Sequence, residues 1–93
     1  MNAALEKLGR DAAEQVAGQE AVGAVEVTSG EEFERPVYYF TFLIDQDRAR
    51  HRPGLLLARL VQRLRDDLDA RNDAHYPVIQ LLSRADWDHR KGD

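Results

Sequence analysis

Apolar and polar positions recur along the chain in patterns that predict two helices and three strands. The first helix is predicted from Asn2 to Ala17, with Asn2 as its N-cap, since an asparagine side chain accepts bonds from early backbone N–H groups. Gly18 follows where a left-handed glycine commonly ends a helix. The apolar face repeats at spacings of three and four, through Leu5, Leu8, Ala12, Ala13 and Val16. Because this face is mostly alanine, we expect the helix to pack closely over a sheet.

Two strands joined by a hairpin are predicted next. Residues 21–28, AVGAVEVT, alternate with a period of two, and residues 29–32, SGEE, supply turn chemistry. Residues 36–44, PVYYFTFLI, form the strongest predicted strand. One of its faces carries Tyr38, Phe40, Phe42 and Ile44, and the other carries Val37, Tyr39, Thr41 and Leu43. Since both faces are largely apolar, either the strand is central with both faces covered or its second face meets a partner.

A longer helix and a last strand follow. Pro53 suits the first helical turn, where its missing N–H costs nothing, and Asn72 or Asp73 is expected to end the helix. The apolar stripe is predicted to run through Leu57, Leu60, Val61, Leu64 and Leu68, with Leu56 at its edge. Residues 76–82 are predicted to be a strand, and Pro77 places it at a strand start or sheet edge. Residues 85–93 read as a polar tail with mobile last residues, in which Trp87 is the side chain able to dock on the domain.

This order predicts an α+β fold, a two-layer sandwich with the order α-β-β-α-β, in which two helices lie on one face of a three-stranded sheet. We expect a single domain over residues 1–84, followed by the tail at 85–93. The order of elements resembles that of type II KH-like domains and of the small ribosome-binding factors that use this fold, and the resemblance implies a nucleic-acid-binding module. The GxxG loop that clamps the nucleic-acid backbone in KH domains is absent, and Pro53-Gly54 does not replace it.

Composition narrows the classes of protein that remain. The 93 residues are 43% hydrophobic and 32% charged, which is typical of a folded chain. There is no cysteine, which excludes disulfides, thiolate metal sites and cysteine nucleophiles. No run approaches the roughly 18 apolar residues of a membrane span. We therefore predict a cytoplasmic protein that does not enter membranes.

Positive charge is concentrated in one stretch. Although the net charge is −4, residues 45–65 hold six arginines and two aspartates, whereas residues 1–34 hold two bases and eight acids. Arginine forks beside a helix N-terminus suit phosphate or carboxylate groups. The candidate site for an anion or an acidic partner consists of Arg48, Arg50, His51, Arg52, Arg59 and Arg63. The alternative is a solvated loop whose charges keep the domain in solution.

The charge order of the long helix opposes its own dipole. Helices favour acids near the start and bases near the end, but here Arg52 and Arg59 come early and Asp66 and Asp69 come late. Pairs such as Arg63–Asp67 and Arg65–Asp69 are predicted to recover part of the loss. Two copies packed antiparallel would set basic ends against acidic ends, so we predict homodimerisation. Chance variation on a solvated face is the alternative.

The second face of the strongest strand supplies a third candidate. Val37, Tyr39 and Leu43 are interface candidates if this row is exposed. The alternative is that the N-terminal helix or a neighbouring subunit covers it.

Catalytic chemistry finds little support in the sequence. His51, His75 and His89 are far apart and lack the spacing of helical metal ligands. We therefore predict no enzyme, metal or cofactor. The predicted function is a small binding or regulatory module that contacts protein, as a homodimer or an accessory subunit. The alternative is a KH-like nucleic-acid-binding module that uses the arginine-rich turn and the start of the long helix.

Overall fold

The computed structural model describes residues 3–91 and contains three α-helices and three strands. In chain order they are α1 (Ala3–Ala17), β1 (Val22–Glu32), β2 (Arg35–Ile44), α2 (Pro53–Ala70), β3 (Tyr76–Leu82) and α3 (Arg84–Lys91), with a short 3-10 turn at Gln19–Ala21 between α1 and β1. The predicted N-cap Asn2 lies outside the described residues, and so do the last two residues of the tail.

The strands form one mixed sheet with β2 at its centre. β1 pairs with β2 antiparallel, from Val22 opposite Ile44 to Glu32 opposite Arg35. β3 pairs with the other edge of β2 in parallel, from Tyr76 beside Val37 to Leu82 beside Leu43. The predicted α+β fold and the order α-β-β-α-β are confirmed, with a third helix added at the end.

The main core lies between α1, α2 and one face of the sheet. Phe40 and Phe42 of β2 are fully buried there against apolar residues of both helices. α1 comes close to the sheet because it presents small residues, and a Cβ added at Gly9 would lie 3.0 Å from the ring of Phe40. The prediction of two helices on one face, with an alanine-rich α1 packed close to the sheet, is therefore confirmed.

The buried stripe of α2 differs from the predicted one at Leu56, at Leu57 and at Val61, which is only partly buried. It repeats every four residues, and its members Leu56, Leu60, Leu64 and Leu68 are all buried. Leu57 was predicted to lie in the stripe but is 38% exposed, because it lies about 100° around the helix from Leu56. Leu56, predicted at the edge of the stripe, is completely buried.

The hairpin turn lies later in the chain than predicted. Residues 29–32 belong to β1, and the turn is formed by Phe33 and Glu34. Both turn residues have positive φ angles, 52° and 62°, which is the mark of a type I′ turn, whose twist matches that of the paired strands. The prediction was wrong because Ser-Gly suggested a turn, whereas Gly30 instead leaves room for the ring of Tyr39.

Both helices of the main layer end at residues with positive φ. Gly18 ends α1 as predicted, but its φ of 99° and ψ of 147° lie outside the left-handed helical region, in a conformation that glycine almost alone adopts. Asn72, with φ of 57°, follows α2, and the amide of Asp73 donates to the carbonyl of Leu68 at 2.9 Å. This six-to-one bond is that of a Schellman motif.

Most of the segment predicted as a polar tail is helical. α3 covers Arg84–Lys91, and Trp87 docks on the domain with only 7% of its surface exposed. The Arg90 guanidinium donates to Glu26 at 2.9 Å and also lies 4.4 Å from the Trp87 ring centroid. Glu26 pairs with Thr41, whose side chain lies on the face of β2 opposite Phe40 and Phe42. Since Arg90 of α3 binds Glu26, α3 lies on the sheet face opposite α1 and α2. None of the helices within residues 3–91 is long and apolar enough to cross a membrane.

Candidate functional site

The arginine-rich turn, residues 45–52, is stabilised by contacts with Asp45. The side chain of Asp45 accepts from the amide of Asp47 at 3.1 Å, and its carbonyl accepts from the amide of Arg48 at 3.1 Å. The Arg48 guanidinium lies 3.4 Å from Asp45 and 3.8 Å from Glu20. Arg48 is therefore already offset by two carboxylates, which weakens it as an anion-binding group.

Two further arginines bind the end of α1. Arg50 donates through its backbone amide to the Ala17 carbonyl at 3.1 Å and through its guanidinium to the Gln15 carbonyl at 3.5 Å. The Arg63 guanidinium donates to the side chain of Gln15 at 2.5 Å and to Asp67 at 3.1 Å. Cations at a helix C-terminus are favourable because the last carbonyls carry partial negative charge. These arginines therefore join the turn and α2 to α1.

The open depression around these arginines is balanced in charge. It measures about 750 Å³, and Arg48, Arg50 and Arg63 line it together with three acids, Asp11, Glu14 and Glu20. A site for phosphate or for a nucleic-acid backbone needs a surplus of cations. The depression lacks that surplus among its lining residues, which weakens the prediction of an anion site at these three arginines.

The other three predicted residues are Arg52, His51 and Arg59, in or just before the first two turns of α2. Arg52 occupies the N-cap position without a side-chain capping bond. His51 and Arg59 line a smaller depression of about 290 Å³, together with Arg63. Within residues 3–91, the side chains of Arg52 and Arg59 make no hydrogen bond or ion pair. Among the described residues, Arg48, Arg50 and Arg63 therefore have polar partners, whereas Arg52 and Arg59 have none.

The outer face of α2 is a surface with segregated charge. Its exposed residues recur at alternating spacings of four and three, and we call Leu55, Arg59, Gln62, Asp66 and Asp69 the α2 outer face. Gln62 donates to Asp66 at 2.9 Å. Arg59 and Asp69 have no side-chain partner among the residues described. The face is therefore apolar and basic toward the start of the helix and acidic toward its end.

The interface candidates on the second sheet face are only partly available. Val37 and Leu43 are 3% and 5% exposed, while Tyr39 is half-buried and its hydroxyl donates to Glu32 at 2.8 Å. This bond raises the pKa of Tyr39, with burial contributing second. The alternative in which the N-terminal helix covers this row was wrong, because α1 packs on the opposite face. Instead, α3 lies against β2 and β3 on this side.

A polar cluster that the sequence patterns did not indicate links β2 to the loop between α2 and β3. The Asp73 carboxylate accepts from the Tyr38 hydroxyl at 2.6 Å, from the backbone amide of His75 at 3.0 Å, and it meets the His75 Nδ1 at 2.6 Å. The Tyr38 and His75 rings stack with centroids 4.0 Å apart and planes 3° apart. We call Tyr38, Asp73 and His75 the Tyr–Asp–His cluster.

The contacts of this cluster change the pKa values of Asp73 and Tyr38. Burial raises the pKa of Asp73, but the hydrogen bonds from Tyr38 and His75 lower it by more, so the net pKa is below its ordinary value of 3.8. The hydrogen bond to Asp73 is the largest cause that raises the pKa of Tyr38, with burial second. Asp73 therefore stays ionised and Tyr38 stays protonated at neutral pH.

The sequence carried one faint signal of this cluster. An aspartate two residues before His75, just past a helix end, can accept from the His75 amide in an Asx turn. That spacing brings the imidazole and the carboxylate together. The contact of Tyr38 with Asp73 depends on pairing between β2 and β3, so it could not be predicted from neighbouring residues in the sequence.

No group of three or more histidine, aspartate or glutamate side chains within residues 3–91 is placed to hold a metal ion. Comparisons of the chain with protein-family models, with curated proteins and with solved structures find no match.

Proposed function

We propose that this protein is a small binding module that acts through protein–protein contact, and that its first partner is a second copy of itself. The observation that carries the proposal is the α2 outer face. Arg59 lies in its basic half and Asp69 in its acidic half, with Gln62 between them, and neither charge has a partner among the described residues. Such a face is complementary to itself when it is turned around.

Antiparallel packing of two α2 helices uses this complementarity. The Leu55–Arg59 half of one helix would lie along the Asp66–Asp69 half of the other, twice over. A two-fold axis produces such an isologous contact, in which the same patch is used on both copies. The spacing of four and three is that of a helix–helix seam. The reversed charge order, unfavourable within one helix, would be offset between two helices.

The contact is expected to be weak and sensitive to salt. Exposed ion pairs contribute about 0.2–1 kcal/mol each, and Leu55 is the main apolar side chain on this face, at 49% exposure. A single helix pair buries less than a standard interface. We therefore expect a dimer that dissociates in the range of tens of micromolar and is weakened at about 0.5 M salt, where charges are screened over a few ångströms.

Sedimentation velocity at low and high salt tests the proposal. Arg59→Asp makes the face wholly acidic and Asp66→Arg makes it basic, so each variant alone should be monomeric at concentrations where the unmodified chain associates. The double variant should associate again, and an equimolar mixture of the two single variants should form a heterodimer. Arg35→Asp is the matched control, since Arg35 is exposed at the start of β2 and has no ion pair among the described residues.

Two outcomes would overturn self-association. One is a monomer at tens of micromolar in low salt. The other is association that survives both single charge reversals. Association only with a different protein would replace the second copy with an accessory-subunit role, which the same variants would test in that complex.

The nucleic-acid-binding alternative is less favoured because Arg48, Arg50 and Arg63 are engaged with α1 and with nearby acids. RNA or DNA binding that persists at moderate salt and is lost in the Arg50→Glu/Arg52→Glu variant would replace the proposal. A non-enzymatic role is part of the proposal. So is a cytoplasmic location, which the absence of cysteine favours.

A further inference from the structure

An open depression away from α2 has a composition that suits one class of ligand. It measures about 860 Å³ and lies where the start of α1 meets β1 and β2. Its lining residues are Leu5, Glu6, Glu26, Val27, Thr28, Ser29, Tyr38 and His75. None of the residues of the α2 outer face contributes to it, so a ligand site in this depression is independent of the proposed function.

One wall of the depression is fixed in position. Tyr38 and His75 belong to the Tyr–Asp–His cluster, whose two rings stack in parallel and are both anchored to Asp73. Since Asp73 is ionised, the imidazole Nδ1 carries the hydrogen of this contact in the neutral ring, which leaves Nε2 as an acceptor. A preorganised aromatic wall loses little freedom when a ligand binds.

The polar groups of the depression mostly accept hydrogen bonds. Glu6 supplies a carboxylate that makes no hydrogen bond or ion pair within residues 3–91. Ser29, on the same sheet face as Tyr38, adds a hydroxyl. Thr28 and Glu26 also line the depression, but the Glu26 carboxylate accepts from Arg90. Among the side chains that the structure describes, no lysine or arginine lines the depression, while Leu5 and Val27 give it an apolar part. A ligand with several donors, a positive charge and an aliphatic stem satisfies all of these features.

The chain itself shows this chemistry at the rim. The guanidinium of Arg90 donates to Glu26 and at the same time lies over the ring of Trp87. A guanidinium held between a carboxylate and an aromatic ring is thus already present beside the depression. The space next to it offers a second carboxylate, Glu6, and a second aromatic wall, the Tyr38–His75 pair.

We propose that this depression binds an alkyl cation, a guanidinium or ammonium group on an aliphatic stem, such as an arginine or lysine side chain presented by a peptide. The stem lies on Leu5 and Val27, the charged head faces Glu6, and the Tyr38–His75 pair flanks it. Attraction between a cation and an aromatic face adds about 0.5–1 kcal/mol at an exposed site.

Titration with N-acetyl-arginine amide, followed by amide NMR shifts of the labelled full chain, tests the site. We expect saturable shifts concentrated at Thr28, Ser29, Tyr38 and His75, with a Kd on the order of 1 mM, as suits a ligand of this size. N-acetyl-citrulline amide has the same shape without the charge and should bind at least roughly tenfold more weakly. Butylguanidinium has the guanidinium and the aliphatic stem but no peptide groups, so it distinguishes binding of the side chain alone from binding of a peptide. Equal binding indicates that only the side chain is read, and weaker binding indicates a peptide-borne cation.

A pair of variants controls for general attraction to an acidic protein. Glu6→Gln should weaken binding of N-acetyl-arginine amide about 2- to 5-fold. Glu34→Gln removes the same charge at the distant hairpin tip and should leave binding unchanged; the Glu34 side chain is exposed and Glu6 is half-buried. Equal binding of the citrulline derivative, shifts spread over the acidic surface, or no saturation at tens of millimolar would each overturn the proposal.

Discussion

The hairpin turn between β1 and β2 should become more stable when its two residues are exchanged for asparagine and glycine. Phe33 and Glu34 both occupy left-handed conformations, with φ of 52° and 62°. Non-glycine residues are strained in this conformation, and asparagine and glycine are the residues that type I′ turns prefer. The Phe33→Asn/Glu34→Gly variant therefore keeps the backbone and removes its strain.

The size of the effect follows from the conformation and the exposure of the turn. A left-handed residue costs roughly 1–2 kcal/mol, which glycine avoids and asparagine reduces. Phe33 is 95% exposed, so its removal sacrifices almost no packing. Added flexibility of glycine in the unfolded chain offsets part of the gain. We expect the free energy of unfolding to rise by about 1–2 kcal/mol, which corresponds to roughly 5–15 °C in Tm for a domain of this size.

Urea and thermal unfolding followed by circular dichroism measure this change. Phe33→Ser is the matched control, because it removes the exposed ring but keeps a residue that must still adopt positive φ. It should lie within about 0.5 kcal/mol of the unmodified chain. A double variant no more stable than this control would refute the strained-turn argument.

Three further predictions concern the fold. Tyr38→Phe removes a hydrogen bond to a charged carboxylate and should lower the free energy of unfolding by about 1–2 kcal/mol in urea titrations. Asp73→Asn should flatten the acid limb of stability measured against pH: the folded pKa of Asp73 is depressed, so its contribution is present above 3.8, its ordinary value, and is lost as pH falls below it. Gly18→Ala should lower Tm by an amount equivalent to about 1–3 kcal/mol, since its φ of 99° excludes a side chain without strain.

The sequence was sufficient for the elements whose patterns are local. The bounds of β3 and the start of α2 at Pro53 were predicted correctly, because alternation and a proline at the first turn are read within a few residues. The turn at Phe33 and Glu34 was missed because neither residue is typical of positive φ. The partner of an arginine could be foreseen only within a helix, as for Arg63 and Asp67, which lie 3.1 Å apart.

The candidate sites depended on contacts distant in sequence. Six arginines looked equivalent when counted by charge, yet Arg50 binds the end of α1 while Arg59 faces outward without a partner among the described residues. The predicted Arg65–Asp69 pair does not form, because the Arg65 guanidinium lies 5.5 Å from the Tyr76 ring centroid on β3. Which charges the fold compensates is settled by the tertiary structure.

The two proposed sites share no residue, and this separation makes their failures distinguishable. Arg59→Asp should abolish self-association while N-acetyl-arginine amide still binds, and Glu6→Gln should weaken that ligand while sedimentation is unchanged. Arg59 does not line the depression. If Arg59→Asp also weakened binding of N-acetyl-arginine amide, the charge reversal would have to act across α2 and the core beneath it. A coupled loss would therefore mean that a second copy helps to form the cation site, which a fixed Tyr–Asp–His wall within one chain does not require.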